Sequence, residues 1–449
     1  MKRKFAALFI VFVLAFTAFP ASVSAEVDPV TGFTVNSQAA YLVNNETGMV
    51  IYQKNAQTPM YPASLVKIMT AILAIENCSD LEGTVVTAPY WVFDELYGQN
   101  ASNADIRPGE EVRMIDLLYA LMLRSACEGA GIIAGHIGNG DQAAFVRMMN
   151  DKAKELGCTN TNFVNPHGLH NDNQYTTAED MYKITKYAMS LPIFAQISTS
   201  NRYTMPATNK HSEERVISHT CAMMDPNRGG AWYYEYIRAI KTGSTNESGR
   251  NLVTCAEKDA YSYTLVTMGA PMYYEDGSPI SDNLTYVDAK ALYEWAFNNW
   301  AVRTVVKTSS VKGQVKVNMV EDKDVVNIFP SRDVERLMRK DIDLSSLQEL
   351  KDYVEEIDAP VVAGQVLGTL EIKLADETIA KVDLVAGESL ERSDWLFFLR
   401  RLKNFFTSTA FKLTVAGIIL LAGLYIAYMV TYNKKRRKKR RKASGSKRF

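Results

Sequence analysis

The chain has 449 residues, 47% of them hydrophobic, and its 50 lysines and arginines balance its 50 aspartates and glutamates. Three basic residues stand at positions 2–4 and 11 at positions 434–449, which leaves 36 basic against 50 acidic residues between them, a net charge near −14. An acidic body of this kind argues against a nucleic-acid partner. Five scattered cysteines without a C-x-x-C spacing and five isolated histidines predict no disulfide framework and no metal site.

The first 25 residues have the pattern of a secretory signal peptide. Basic residues 2–4 precede an apolar run from Phe5 to Phe19, and small residues lead to Ala25. A basic start, a short apolar core and a small-residue exit are typical of a cleaved signal, whereas an uncleaved anchor would need a longer run. We therefore predict cleavage after Ala25.

An early hairpin and a helix start come next along the chain. Strand-like runs at Ala39–Val43 and Met49–Tyr52 flank an Asn-Glu-Thr-Gly turn and predict a β-hairpin. Pro62 and the helix-forming run from Ala63 to Glu76 then predict a helix that has Ser64 at its N-terminus.

Ser64 and Lys67 form an S-x-x-K pair at this helix start. Residues three apart share a helix face, so the Lys67 amine is expected next to the Ser64 hydroxyl, where the helix dipole favours a developing oxyanion. A lysine acts as a base near neutral pH only where burial or a second cation lowers its pKa. Apolar neighbours such as Ile68 and Met69 could bury it, although the pair alone would also fit a solvated helix start.

Two more segments carry chemistry. Ser125-Ala126-Cys127 lies between a predicted helix from Val112 to Arg124 and another that opens at Glu128. Lys241-Thr242-Gly243-Ser244 follows an apolar alternation typical of a strand. That strand would deliver a lysine and two hydroxyls to one edge, with Gly243 admitting a ligand close to the backbone.

The order S-x-x-K, S-x-C and K-T-G resembles the motif set of class A β-lactamases and penicillin-binding proteins. The chain resembles most the D-alanyl-D-alanine carboxypeptidases, low-molecular-mass penicillin-binding proteins that trim peptidoglycan stem peptides. Phe163–Leu169 (F-V-N-P-H-G-L) and Tyr175–Met181 (Y-T-T-A-E-D-M) match further blocks of that family. The resemblance extends from about Val35 to Glu391.

This resemblance implies an α+β fold, namely a serine β-lactamase/penicillin-binding-protein-like transpeptidase fold with a small C-terminal β-rich domain and a C-terminal transmembrane helix. It also implies acyl transfer without a cofactor: Ser64 attacks the carbonyl between two D-alanines while Lys67 takes its proton, and β-lactams acylate Ser64 by the same route. Ser125 would bridge the two lysines and relay a proton to the leaving D-alanine. Backbone amides of Ser64 and Ser244 would form the oxyanion hole. The residues expected to bind the substrate are Lys241, Thr242, Ser244 and Cys127.

Cys127 stands where the family has asparagine, and Ala239 where it usually has glycine. A thiol is a weaker hydrogen-bond partner than an amide, and losing one positioned interaction costs about 1–3 kcal/mol, or roughly 10–100-fold in rate. The main interpretation is therefore an active enzyme with slowed turnover. The alternative is a hydrolysis-impaired muropeptide- or penicillin-binding protein.

Three other activities are alternatives to these interpretations. A secreted β-lactamase needs a deacylating carboxylate, and the chain has no E-x-x-L-N block to supply one. Cys127 has no histidine base beside it in sequence, which argues against a cysteine nucleophile. Sequence does not separate carboxypeptidase from endopeptidase action on cross-links.

The C-terminal third has a different composition. Short alternating runs from Thr304 to Glu391 predict a small β-rich domain, broken by a helical insert near Asp343 to Glu356. Apolar residues on one helical face, Trp395 and Leu399 among them, predict an amphipathic helix at the outer membrane interface. Leu413 to Val430 is an uncharged run of 18 residues, long enough to span a membrane.

Nine consecutive basic residues at positions 434–442 follow that run and predict a cytoplasmic tail, which places the catalytic domain outside the cell on a single-pass C-terminal anchor. The predicted divisions are a signal peptide (1–25), a catalytic domain (26–300), a β-rich domain (301–391), a juxtamembrane segment (392–412), a transmembrane helix (413–432) and a basic tail (433–449).

Overall fold

A computed structural model describes residues 28–444, so the predicted signal peptide lies outside the described residues. The chain divides into two compact units, and the boundary falls between Trp300 and Ala301.

The first unit is built from strands and helices that alternate irregularly along the chain. Its strands are β1 (Ala39–Asn44), β2 (Val50–Lys54), β3 (Val85–Thr87), β4 (Glu111–Arg113), β5 (Arg202–Met205), β6 (Arg215–Ser218), β7 (Ile237–Thr245), β8 (Gly249–Lys258) and β9 (Tyr261–Ala270). Its helices are α1 (Lys67–Asn77), α2 (Tyr90–Leu96), α3 (Met114–Leu123), α4 (Cys127–Ile137), α5 (Gln142–Glu155), α6 (Ala178–Met189), α7 (Pro192–Ser198), α8 (Pro226–Gly229) and α9 (Leu284–Asn299). The predicted α+β architecture and the early hairpin are confirmed.

A five-stranded antiparallel sheet in the order β2-β1-β9-β8-β7 organises this unit. Helices cover both of its faces, as the alternation along β8 shows. Val253 and Cys255 join the main apolar core. Thr254, which points the other way, forms a 2.8 Å hydrogen bond with Tyr293 of α9. The strand β7, which carries the K-T-G motif, is an edge strand of this sheet.

The helix α1 lies at the centre of the helical layer. Its residues from Lys67 to Ala74 are all buried, and it contacts α3, α4 and α6. A helix that is apolar on every side belongs inside a core, so the burial of Lys67 is imposed by its neighbours along α1. The helix was predicted to begin at Ala63. It begins at Lys67, because the preceding residues Ala63–Val66 form a 3-10 turn.

The second unit contains strands, then two helices. Its strands are β10 (Trp300–Val306), β11 (Gly313–Asn318), β12 (Val325–Pro330), β13 (Val334–Arg339), β14 (Gln348–Tyr353), β15 (Glu356–Asp358), β16 (Val366–Leu374) and β17 (Glu377–Ala386), and β10 begins on the last residue of the first unit. Six strands form one sheet in the order β14-β16-β17-β12-β11-β15. Alternate residues such as Val315, Val317 and Leu370 fill its core.

The helical insert predicted near residues 343–356 is wrong. Only a 3-10 turn forms there, at Leu344–Ser346, and β14 and β15 follow it. The residues of β14 pair with β16 from Gln348 opposite Lys373 to Tyr353 opposite Gly368. Pairing with a neighbouring strand therefore overrides the helix-forming composition of this segment.

Two helices end the described chain, α10 (Asp394–Thr407) and α11 (Thr409–Ser444). Large apolar side chains of α10 are exposed, among them Trp395, Phe398 and Phe406. Within the described residues, one helix is long and apolar enough to cross a membrane: an 18-residue window of Thr409–Arg440 has a mean hydropathy of 2.2, and none of that window is buried. It is a candidate membrane anchor.

Candidate active site

Ser64 lies in a strained turn just ahead of α1. The residue before it, Ala63, has a φ of +47°, a left-handed conformation that costs a non-glycine residue about 1–2 kcal/mol. The incoming chain is fixed by Met60, which exchanges backbone hydrogen bonds of 2.7 and 3.0 Å with Thr176. The turn is therefore held in place by residues distant in sequence.

Two glycines let neighbouring segments approach this turn. A Cβ atom on Gly168, which has a φ of +83°, would lie 2.0 Å from the Ala63 carbonyl oxygen. A Cβ atom on Gly243 would lie 3.1 Å from the Ser64 amide nitrogen. The sequence predicted that Gly243 admits a ligand, and what the structure shows next to Gly243 is the backbone of the Ser64 turn. β7 thereby lies directly against the nucleophile.

Lys67 is fully buried and has three hydrogen-bond partners. Its Nζ lies 3.0 Å from Ser64 Oγ, as the helical spacing predicted, and 3.4 Å from Cys127 Sγ. It also donates to the backbone carbonyl of His167. A buried amine needs such partners because an unsatisfied polar group in an apolar interior is costly. Three separate segments therefore converge on one nitrogen atom.

The carbonyl that accepts from Lys67 was not foreseen. It belongs to His167 in the F-V-N-P-H-G-L block, a hundred residues further along the chain. Thr70 of α1 contacts the same block, because its Oγ1 donates to the Pro166 carbonyl oxygen at 2.6 Å. Sequence showed that the block resembles a family motif, but a backbone acceptor leaves no side-chain signature.

The S-x-C motif joins α3 to α4. Ser125 has a φ of +59°, and its buried Oγ has no hydrogen-bond partner. The predicted bridge between the two lysines is therefore not formed in this structure. Lys241 Nζ instead donates to the carbonyl oxygen of Thr242 at 2.9 Å. Cys127 is buried and reaches Lys67, which is the contact expected of the family asparagine.

Glu128 is a second feature that sequence analysis missed. One carboxylate oxygen of this buried residue accepts a 2.6 Å hydrogen bond from the Ala104 amide, and the Cys127 amide donates to the Ser102 carbonyl at 2.8 Å. Burial raises the pKa of the Glu128 carboxyl. The loop around Ser102 is thus fastened over the start of α4. An acidic residue directly after the S-x-C motif was the available signal.

Lys241 is also fully buried. Burial, and next the positive charge of Lys67, hold the pKa of Lys241 well below its usual range. Thr242 Oγ1 forms a 2.6 Å hydrogen bond with Thr220 Oγ1, and Ser244 is exposed at the edge of the sheet. The K-T-G strand therefore presents exposed and half-buried hydroxyls in front of a buried amine.

His219 is a buried histidine whose pKa is affected by the charge of Lys241. Its Nδ1 accepts a 2.9 Å hydrogen bond from the Cys221 amide. Burial, and next the charge of Lys241, lower the pKa of His219 to about 3. His219 is therefore a buried histidine that is linked electrostatically to the site through Lys241.

Among residues 28–444, no group of three or more potential ligands is placed to hold a metal ion. The five cysteines are buried and unpaired. A hydroxyl next to a buried amine, with hydroxyls and a second amine on an edge strand, is an arrangement suited to nucleophilic acyl transfer.

Comparison with known proteins places this site in a family. Residues 22–272 match the family described as D-alanyl-D-alanine carboxypeptidase, and residues 300–392 match the C-terminal domain of penicillin-binding protein 5. The D-alanyl-D-alanine carboxypeptidase DacF of Bacillus subtilis is 26% identical over 375 residues, which cover 81% of this chain and 88% of that protein.

Two solved structures show a similar fold. Penicillin binding protein 5 from Haemophilus influenzae is 23% identical, with a TM-score of 0.54, and the match covers 80% of this chain and 98% of that one. A Streptomyces DD-transpeptidase is 26% identical, with a TM-score of 0.53, and the match covers 59% of this chain and 98% of that one. The predicted penicillin-binding-protein-like fold is confirmed, and so is the resemblance to the carboxypeptidase family.

Substituting Gly168 by alanine is expected to lower the free energy of unfolding by about 3 kcal/mol or more, since a left-handed alanine and a backbone clash add up. Gly157→Ala is the matched control, because Gly157 has a φ of +75° with nothing within 4 Å of the added Cβ. That control should lose only about 1–2 kcal/mol. Equal losses in denaturant unfolding would show that Gly168 does not hold the Ser64 turn.

His219 is expected to weaken the fold in acid. A histidine whose folded pKa lies below its unfolded value of 6.5 favours the folded state above pH 6.5, and that stability is lost as the pH falls towards about 3. The slope is at most about 1.4 kcal/mol per pH unit. In His219→Asn, unfolding free energies measured between these limits should fall less steeply, whereas in the exposed-site control His136→Asn the slope should be unchanged. Identical slopes in all three proteins would rule out this role.

Proposed function

Because the chain belongs to the D-alanyl-D-alanine carboxypeptidase family, we propose that it removes the terminal D-alanine from peptidoglycan stem peptides through an acyl-enzyme on Ser64. The observation that carries the proposal is the 3.0 Å contact between Ser64 Oγ and the fully buried Nζ of Lys67. A hydroxyl is a weak nucleophile until a base takes its proton, and this contact supplies a base at hydrogen-bond distance.

The proposed reaction has two halves. In the first, Ser64 Oγ bonds to the carbonyl carbon between the two D-alanines while Lys67 takes the hydroxyl proton. The C–N bond then breaks, and the departing amine receives a proton relayed through Ser125. In the second, water attacks the ester, Ser64 is released, and the shortened peptide leaves. Backbone amides of Ser64 and Ser244 stabilise the oxyanion in both halves.

The terminal carboxylate of the substrate is proposed to bind at Lys241, Thr242 and Ser244. Lys241 is buried and lies close to the Lys67 amine, and both circumstances disfavour a positive charge on Lys241. An arriving carboxylate supplies the missing counter-charge, so binding should be accompanied by protonation of Lys241. A substrate without a terminal carboxylate would not promote protonation of Lys241 and would bind more weakly. The site would therefore select peptides with a free C-terminus.

Cys127 decides between the two forms of the proposal. Its Sγ, 3.4 Å from Lys67 Nζ, supports an active enzyme because it keeps a contact to the base. The unpartnered hydroxyl of Ser125 favours the alternative, a penicillin-binding protein with impaired hydrolysis, because this hydroxyl is not hydrogen-bonded to either lysine of the proposed proton relay. We place the active carboxypeptidase first.

The membrane arrangement is proposed from the end of the chain. The helix segment Thr409–Arg440 would be a single-pass anchor, with its basic end in the cytoplasm and the two predicted domains, residues 26–300 and 301–391, outside the cell. β-Lactams and stem peptides would then reach Ser64 from the cell-wall side.

The direct test of function is D-alanine release from a pentapeptide ending in D-Ala-D-Ala by the full-length protein in detergent. Release is expected, and it should vanish in Ser64→Ala. Cys127→Asn should raise the rate by roughly 10–100-fold if the thiol slows turnover, and by less than about tenfold if the thiol is a tolerated substitute.

Two results would separate the alternatives. A folded wild-type protein that reacts with penicillin but releases no D-alanine, together with strong release from Cys127→Asn, would establish the hydrolysis-impaired form. No reaction with penicillin and no release would contradict both.

Binding of the substrate carboxylate is expected to weaken as the pH rises. Since the carboxylate raises the lowered pKa of Lys241, binding takes up a proton, and affinity should fall by up to about tenfold per pH unit between the pKa values of the free and bound states. The measurement compares inhibition constants of a D-Ala-D-Ala peptide and its C-terminal amide against penicillin acylation. Parallel pH profiles for the two peptides would contradict coupling through Lys241.

A further inference from the structure

A cavity of about 430 Å³ lies in the second unit, between the helix α10 and one edge of the six-stranded sheet. Asn318, the last residue of β11, and Glu356, the first residue of β15, line the side of the cavity formed by the sheet. These two strands pair in parallel at that edge. The cavity is large enough for a small ligand or for the head group of a lipid.

Two contacts hold α10 against the sheet on either side of this cavity. At the start of the helix, Ser393 Oγ accepts a 3.3 Å hydrogen bond from the Leu396 amide, and the Ser393 amide donates to the Met319 carbonyl oxygen at 2.7 Å. Two helical turns later, Arg400 forms an ion pair with Asp358 of β15. The cavity is therefore enclosed by specific contacts and is part of how this unit folds.

The helix α10 has two different faces. Residues spaced three or four apart share one face of a helix. The face that lines the cavity carries Leu396, Leu399, Arg400, Lys403 and Asn404. Another face carries exposed aromatic rings, those of Trp395, Phe398, Phe405 and Phe406. An aromatic face of this kind is suited to the membrane interface, and basic side chains beside it reach the level of the lipid head groups.

The charges around the cavity leave one cation without a counter-charge. Arg400 is paired with Asp358, and Glu356 lies 3.8 Å from Lys316. The described part of the chain gives Lys403 no ion-pair partner, although Lys403 lines the same cavity. A lysine ammonium is a compact charge with three donors, which is suited to a phosphate group.

The position of α10 in the chain places the cavity next to the candidate membrane anchor. The helix α10 ends at Thr407, and α11 begins at Thr409. Residues 392–412 contain five basic residues and one acidic residue, whereas the rest of the predicted exported part is acidic. Each basic residue near a membrane surface raises the affinity for anionic lipid by about fivefold. The ligand that lies closest to this cavity is therefore a lipid head group.

We propose that the cavity between α10 and the six-stranded sheet binds the phosphate of an anionic phospholipid. Lys403 supplies the positive charge, the side-chain amide of Asn404 donates a hydrogen bond, and Leu396 and Leu399 contact the glycerol and the first carbons of the acyl chains. Such a site would couple the fold of the second unit to the composition of the membrane. The inference rests on the proposed membrane anchor and is independent of the reaction at Ser64.

The first test measures how fast an amine-reactive acylating reagent modifies Lys403 in the full-length protein, in uncharged detergent, with peptide mapping by mass spectrometry. Dihexanoyl phosphatidylglycerol should protect Lys403 at a concentration about fivefold lower than dihexanoyl phosphatidylcholine, because only the first lipid carries a net negative charge. Lys381 of β17 is the internal control, since it is exposed and does not line the cavity, and its rate should not change.

The second test compares two variants that remove the same charge from the same helix. Lys403→Gln changes the cavity, whereas Arg401→Gln is the matched control, because Arg401 does not line it. A lipid that bridges α10 and the sheet stabilises the folded unit, so phosphatidylglycerol should raise its melting temperature. The lipid concentration for half of this rise should be about fivefold higher in Lys403→Gln and unchanged in Arg401→Gln.

Two outcomes would overturn the lipid site. Equal effects of the two substitutions would mean that the basic residues of α10 attract anionic lipid without a defined site. Protection of Lys403 by glycerol 3-phosphate at the same concentration as by phosphatidylglycerol would mean that the cavity binds free phosphate and not a lipid. Fluorescent penicillin should label Ser64 equally in wild type and both variants, so failure of this inference is distinguishable from failure of the proposed function.

Discussion

The burial of one amine organises this structure. Lys67 lies inside the helical layer because the rest of α1 is apolar, and its nitrogen must find hydrogen-bond partners there. Those partners come from the Ser64 turn, from Cys127 at the start of α4 and from the His167 carbonyl. Satisfying one buried nitrogen thus brings three distant segments of the chain together, and their meeting point is the candidate active site.

The second buried amine extends this constraint to the K-T-G strand. A positive charge on Lys241 is disfavoured by the burial of its own amine and then by repulsion from Lys67. His219 is held neutral by the same surroundings. The hydrogen-bond partners of the Lys67 and Lys241 amines include no carboxylate, so the carboxylate of the proposed peptide substrate would supply a counter-charge that these partners do not.

Much of the site was predictable from the sequence because its signals are local. The three-residue spacing of Ser64 and Lys67 predicted their contact, and the alternation of apolar residues before Lys241 predicted the strand that carries it. Three features were not predictable because each depends on a segment from elsewhere in the chain: the left-handed backbone of Ala63, the hydrogen bond from the Ala104 amide to Glu128, and the His167 carbonyl that accepts from Lys67. The helix predicted for the β14 segment was wrong for the same reason, because pairing with β16, a non-local contact, determines the conformation of this segment.

The central claim is that Ser64, activated by Lys67, is the residue that forms the acyl-enzyme. The most direct measurement is the intact mass of the protein after reaction with benzylpenicillin, followed by mapping of the modified peptide. The account predicts one penicilloyl group per chain, on the peptide that contains Ser64, and no such adduct in a folded Lys67→Ala variant. An adduct on Cys127, or on Ser64 at an undiminished rate without Lys67, would contradict it.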